Sequence, residues 1–210
     1  MRTNPIARFM AATIIVAAFV AGCSKTNLTN LWKDPEASTA PMDNVLVVAL
    51  ERDPDLRRLW EDALAAEFQA HGVHARPSHQ LWPSLPDSTQ VPVVMRRDGN
   101  DGAVITHRLA LTQTGNYGGG YEKSTPMTGN DYWRSWYHTY YMSANEYTNA
   151  PKEDEARYQI DLVGVVGGGR LVWTGSTTPI DPRDAEKVRA EVAGQLVPEL
   201  KRQGVIAGGK

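Results

Sequence analysis

Residues 44–50 read NVLVVAL, an uncharged apolar run set between Asp43 and Glu51. A strand with one wet face alternates apolar and polar residues. An unbroken apolar run this short instead reads as a strand buried on both faces. Such a strand needs a layer above it and a layer below it. Downstream, Asp53 and Pro54 form a cap-plus-proline start for a helix. Leu56, Leu59, Trp60, Ala63, Leu64 and Phe68 keep the i, i+3, i+4 spacing of one buried helix face, and Gly72 supplies the stop. Val73–Ser78 reads as a short strand, residues 88–98 as a weaker helix with Pro92 in its first turn, and residues 103–114 as an alternating strand. Tyr158–Val166 and Leu171–Thr177 flank Gly167-Gly168-Gly169, the pattern of a β-hairpin. A last helix starts at Asp181-Pro182, and Pro198 is expected to kink or end it. The order is β-α-β-α-β, a long insertion, then β-β-α. It implies an α/β fold, a single domain in which one mixed β-sheet carries two or three packed helices.

The N-terminus fixes the compartment. Arg2 and Arg8 precede an apolar run from Phe9 to Ala21. A spanning helix needs roughly 20 apolar residues, so this shorter run reads as the core of a secretory signal. Val20-Ala21-Gly22-Cys23 follows at the cleavage position. It resembles the lipobox of bacterial lipoproteins. That resemblance implies cleavage before Cys23, lipidation of Cys23 and a membrane attachment through its acyl chains. Ser24 in place of aspartate favours sorting to the outer membrane, periplasmic side, in a Gram-negative host; a Gram-positive host would hold it on the cell membrane. The expected organisation is a signal peptide over 1–22, the lipidated Cys and a tether over 23–43, and the α/β domain over 44–208. An aromatic, Gly- and Tyr-rich insertion occupies 115–150 of that domain.

Cys23 is the chain's one cysteine, so no intrachain disulfide and no cysteine metal cluster can form. The formal net charge is −2 with no clustered lysines or arginines, which argues against nucleic acid as a partner. Trp32-Lys33-Asp34, the Val-rich strand, the helix ending at Gly72-Val73, the Gly/Tyr insertion and Leu171-Val172-Trp173 together resemble a group of small envelope lipoproteins. The layout is more distantly similar to the N-terminal domain of TolB and to the activator lipoprotein LpoB. These resemblances imply a binding or assembly module and carry over no functional residue.

The chemical inventory is short. His71 and His74 straddle a glycine and have no repeating acidic or cysteine partner, so no metal is expected. Neither Gly118–Gly120 nor Gly167–Gly169 matches a phosphate or dinucleotide loop, so no cofactor is implied. No Gly-x-Ser-x-Gly elbow occurs, and Asp98 and Asp101 read as turn formers.

What stands out is DYWRSWYHTYYMS over 131–143, inside the insertion that holds all but one of the chain's eight tyrosines. At 100° per residue Tyr132, Trp133, Trp136, Tyr137, Tyr140 and Tyr141 fall on one half of a helix. This face is the candidate binding surface. Four roles stay open: core covering the sheet, a protein-binding patch, a sugar-stacking platform, or contact with the bilayer. The expected function is a lipid-anchored envelope protein with a non-enzymatic binding or assembly role. Its partners would be the membrane through Cys23 and either another envelope protein or further copies of the chain. The alternative is a hydrolase or transferase acting on cell-wall polymers.

Overall fold

A computed structural model describes residues 26–37, 40–111, 117–118, 132–138, 140–142, 156–166, 168–180 and 185–208. The signal segment, Cys23, most of the 115–150 insertion and the Asp181-Pro182 start lie outside the described residues. The chain forms one α/β domain around a mixed sheet. Its strands are β1 (Leu28–Lys33), β2 (Asn44–Leu50), β3 (His74–Pro77), β4 (Gly102–Leu111), β5 (Tyr117–Gly118), β6 (Arg157–Gly164) and β7 (Arg170–Thr177). Six of them run in the spatial order β1-β7-β6-β4-β2-β3, and β5 pairs with β4 off that path. The helices are α1 (Pro54–Ala70), α2 (Gln90–Arg97), α3 (Ala185–Arg202) and a π-helical segment over Tyr132–Tyr137.

β2 lies parallel to both β3 and β4, between them. The chain crosses from β2 to β3 in one direction and from β3 to β4 in the other. Right-handed crossovers then put α1 and α2 on opposite faces. The NVLVVAL pattern is the consequence. Val45, Val47 and Ala49 pack with Trp60, Leu64 and Phe68 of α1 and with Val192 and Leu196 of α3. Leu46, Val48 and Leu50 pack with Val91 and Met95 of α2 and with the aromatic segment. From β4 onward the sheet is antiparallel: β4 with β6, β6 with β7, β7 with β1.

Several details differ from the sequence reading. Leu28–Lys33, inside the stretch expected to be a tether, is an edge strand paired with β7, with an irregularity between Thr29 and Trp32. Asn30 there adopts a positive φ of 52°. Leu56 and Leu59 are 37% and 45% exposed, and the inward positions of α1's first turns are Arg57 and Glu61. Glu61 accepts from the Ala49 amide (3.1 Å), Arg57 Nε (3.0 Å), Ser78 Oγ (2.6 Å) and the His79 amide (2.6 Å). The start of α1 therefore rests on a bonded ion pair where apolar contact was expected. Pro198 does not end α3, which continues to Arg202, because Leu196, Val197 and Leu200 hold the last turns in the core.

Candidate functional site

The aromatic segment lies on the α2 face of the sheet, over the middle of β4, β6 and β7. Register puts Ile105 beside Asp161 and His107 beside Gln159, and Asp161 beside Thr174. Residues directly opposite share a face, so His107, Gln159, Asp161 and Thr174 form a polar patch in an otherwise apolar sheet. Asp161 is 0% exposed and His107 is 2% exposed.

Asp161 is the peg that holds the segment down. Its Oδ2 accepts from the Tyr132 hydroxyl (3.1 Å) and Trp136 Nε1 (2.8 Å). Its Oδ1 accepts from Thr174 Oγ1 (2.6 Å) and Gln159 Nε2 (2.9 Å). Burial pushes the carboxyl above its ordinary range, and the four donors pull it part of the way back. Tyr137 anchors the other side, donating to the Pro86 carbonyl (2.9 Å). The buried tyrosines Tyr132 and Tyr137 are five positions apart, the π-helical spacing, which brings both to the sheet in one turn. Desolvation raises both phenols well above their ordinary value.

Tyr132, Trp133, Tyr137 and Tyr140 are buried, whereas Trp136 and Tyr141 are half-buried and Arg134, Ser135, His138 and Met142 face solvent. The face anticipated from the helical wheel is thus turned onto the sheet, its first four rings through a π-helical turn over Tyr132–Tyr137 and Tyr140 and Tyr141 through α-helical residues that follow. The rings meet each other edge to face: Tyr132 on Trp133 at 5.1 Å, Trp136 on Tyr140 at 5.0 Å. Trp133 seats its indole nitrogen against Gly169 of the β6–β7 turn. There φ is +100°, and a Cβ would stand 2.0 Å from Nε1. A shallow concavity opens beside it, lined by Pro92, Met95, Arg96, Trp133, Val165, Gly168 and Gly169.

His107 was missed by the sequence reading. Its ring stacks on Tyr140 at 3.5 Å and meets Trp136 edge-on at 6.2 Å. Neither ring nitrogen has a hydrogen-bond partner among the described residues. Desolvation lowers its pKa to about 3, so the imidazole is neutral. An aspartate inside the apolar run IDLVG and a histidine on the otherwise apolar Ala103–Ile105 face of β4 were the available signals. A second displaced group, Glu51, follows β2 on the opposite face, beside Arg108, Arg189 and Tyr158. Burial raises it to about 7. Among the described residues no group of His, Cys, Asp and Glu is placed to hold a metal ion. No described helix is long and apolar enough to cross a membrane.

No protein-family model matches the chain, and no curated protein matches it in sequence. Among solved structures it is similar to the PelC dodecamer from Paraburkholderia phytofirmans, at 15% identity and TM-score 0.44, covering 82% of this chain and 96% of that one. A single-substitution variant of the same dodecamer gives 14% identity, TM-score 0.42 and the same coverage. At these scores the likeness carries no argument about function.

Proposed function

We propose that this chain is a lipid-anchored envelope protein, held through Cys23 at the outer membrane, with a non-enzymatic binding or assembly role. Export and anchoring rest on the signal and lipobox over residues 2–23. The observation that carries the non-catalytic reading is the state of Asp161. Both its oxygens are committed to four donors under a closed aromatic layer, leaving it neither access nor a free lone pair for a substrate. The polar centre fastens the layer instead of reacting through it. The half-buried rings Trp136 and Tyr141 and the exposed Met142 then offer the outer surface to a partner.

The test is crosslinking in the native envelope from a photoreactive residue replacing Met142, beside a Cys23→Ser control. A specific adduct lost in the control supports the reading. A chain that stays in the membrane fraction as Cys23→Ser refutes the anchor, and one that forms no adduct refutes the binding role at this surface.

One observation favours the alternative of a cell-wall-polymer hydrolase or transferase. Glu51, raised to about 7, stands past the carboxyl end of β2, between β3 and β4, where open α/β sheets hold ligands. Turnover of peptidoglycan fragments that disappears in Glu51→Gln, with folding intact, would establish it.

A further inference from the structure

We infer that the domain lies directly on a phospholipid surface with one defined end down: the end carrying the carboxyl termini of β2, β4 and β7. This inference rests on the reading of Cys23 as the lipidated residue.

The first link is where the chain enters the fold. Thr26 is 6% exposed and is bonded on both sides. Its amide donates to Glu191 Oε2 (3.1 Å), and its carbonyl accepts from Gln195 Nε2 of α3. Asn27 exchanges bonds with Thr178, its amide donating to Thr178 Oγ1 (3.2 Å) and its carbonyl accepting from the Thr178 amide (2.8 Å). The folded body therefore begins three residues after Cys23. Whatever conformation those residues take, three residues span at most about 11 Å. An acylated Cys23 at the headgroups keeps Thr26 within that distance of the bilayer.

The second link is which end this is. Leu28 pairs with Thr177, the last residue of β7, and the Tyr158 amide donates to Thr177 Oγ1 (3.1 Å). Tyr158 pairs with Arg108 of β4, and His107 pairs with Leu50 of β2. Thr26, Thr178, Arg157, Arg108, Glu51 and the start of α1 thus share one end of the sheet. Gly99, Gly164 and the β6–β7 turn stand at the other, about 25 Å away along β6 at roughly 3.3 Å per residue.

The third link is the chemistry of the near end. Arg52 and Arg108 are exposed there, and guanidinium groups match headgroup phosphates. Exposed Asp53, Asp55 and Glu186 stand at the same end. The contact is therefore set by the reach of the anchor and not by net charge, so salt should leave it in place.

The test uses the full-length acylated protein in phosphatidylcholine vesicles. Because Cys23 is the chain's one cysteine and would be blocked by lipid, Pro179→Cys and Arg52→Cys mark the near end without competing thiols. Arg97→Cys and Arg202→Cys mark the far end. A fluorophore on each is quenched by a nitroxide attached to the lipid headgroup. The expected result is severalfold stronger quenching at 179 and 52 than at 97 and 202, unchanged in high salt. A flexible Gly-Ser segment inserted between Ser24 and Lys25 should erase the difference. An acylated protein with equal quenching at all four positions overturns the orientation alone. A chain that mass spectrometry shows to be unacylated at Cys23 overturns the lipoprotein reading and the orientation with it.

Discussion

Replacing His107 by Phe should shift the pH dependence of stability between pH 7 and pH 5 towards greater stability on the acid side. The wild-type imidazole is buried and neutral, with its pKa lowered from 6.5 to about 3. The unfolded chain binds that proton more tightly than the folded one, so folded stability is full above about pH 6.5 and falls as pH drops. The loss is about 1.4 kcal/mol per pH unit, reaching about 2 kcal/mol at pH 5. Glu51 acts in the opposite sense. Its folded pKa is raised by burial to about 7, so the folded state holds the proton more tightly. Its contribution rises as pH falls from about 7 towards 4.5. Because Glu51 is only half-buried, solvent makes that slope the shallower of the two. Asp161, which burial also holds above its ordinary range, acts in the same sense as Glu51, so in the wild-type chain both oppose the histidine's slope. His107→Phe removes the histidine's slope and keeps the ring stacked on Tyr140. It also removes two unpartnered nitrogens, worth roughly 1–3 kcal/mol, against an overpacking cost of similar size. At pH 7 the variant should therefore lie within about 1 kcal/mol of the parent. Guanidinium titrations followed by tryptophan fluorescence, on the chain from residue 24, give both numbers. Stability that rises from pH 7 to pH 5 in the variant agrees with this reasoning. Parallel profiles for variant and parent, or a loss above about 2 kcal/mol at pH 7, would refute it.

Three further outcomes follow from the same contacts. Asp161→Ala strands four donors, each worth roughly 1–3 kcal/mol when orphaned, and should cost at least about 3 kcal/mol. Near-ultraviolet circular dichroism should lose the signal of the ordered rings, and an unchanged spectrum would show that Asp161 does not fasten the layer. Gly169→Ala should destabilise by more than Gly168→Ala, because a Cβ at 169 strikes Trp133 whereas one at 168 meets open space; equal melting temperatures would contradict that seat. Arg57→Met leaves Glu61 charged and buried without its cation, at a cost of about 3–5 kcal/mol. The double change Arg57→Met with Glu61→Leu should recover most of it in chemical denaturation, and no recovery would mean that the pair is not the main term.

How much of this was legible depended on whether the signal was local. NVLVVAL carried its own answer, because a run apolar at every position has no side left for solvent. The aromatic face was legible for the same reason. Its π winding was not, since that depends on Tyr132 and Tyr137, five positions apart, both reaching partners distant in sequence, Asp161 and the Pro86 carbonyl. Leu28–Lys33 was unreadable as a strand: it lies in a polar stretch, breaks its own register at an Asn30 of positive φ, and takes its partner from β7. In α1 the apolar count misled, because Leu56 and Leu59 are spare while Arg57 and Glu61 satisfy each other inside. His107 and Asp161 were visible as polar residues in apolar strands, but only the fold shows that both lie beneath the same rings.

The pairing of β1 with β7 also dictates an order of events. Leu28 finds its partner at Thr177, and Thr26 is clasped by Glu191 and Gln195. Contacts so distant in sequence form late, since their loop must close before they contribute. In the exported lipoprotein proposed above, a chain entering N-terminus first could not draw the residues from Thr26 onward into the fold until nearly all of it had crossed. On that proposal Cys23 would stay open to the modifying enzymes throughout translocation, and Thr26 is clasped only when the C-terminal helix arrives. A chain truncated before residue 185 should accordingly leave the bond after Lys33 open to trypsin, and protection there would break the sequence of steps.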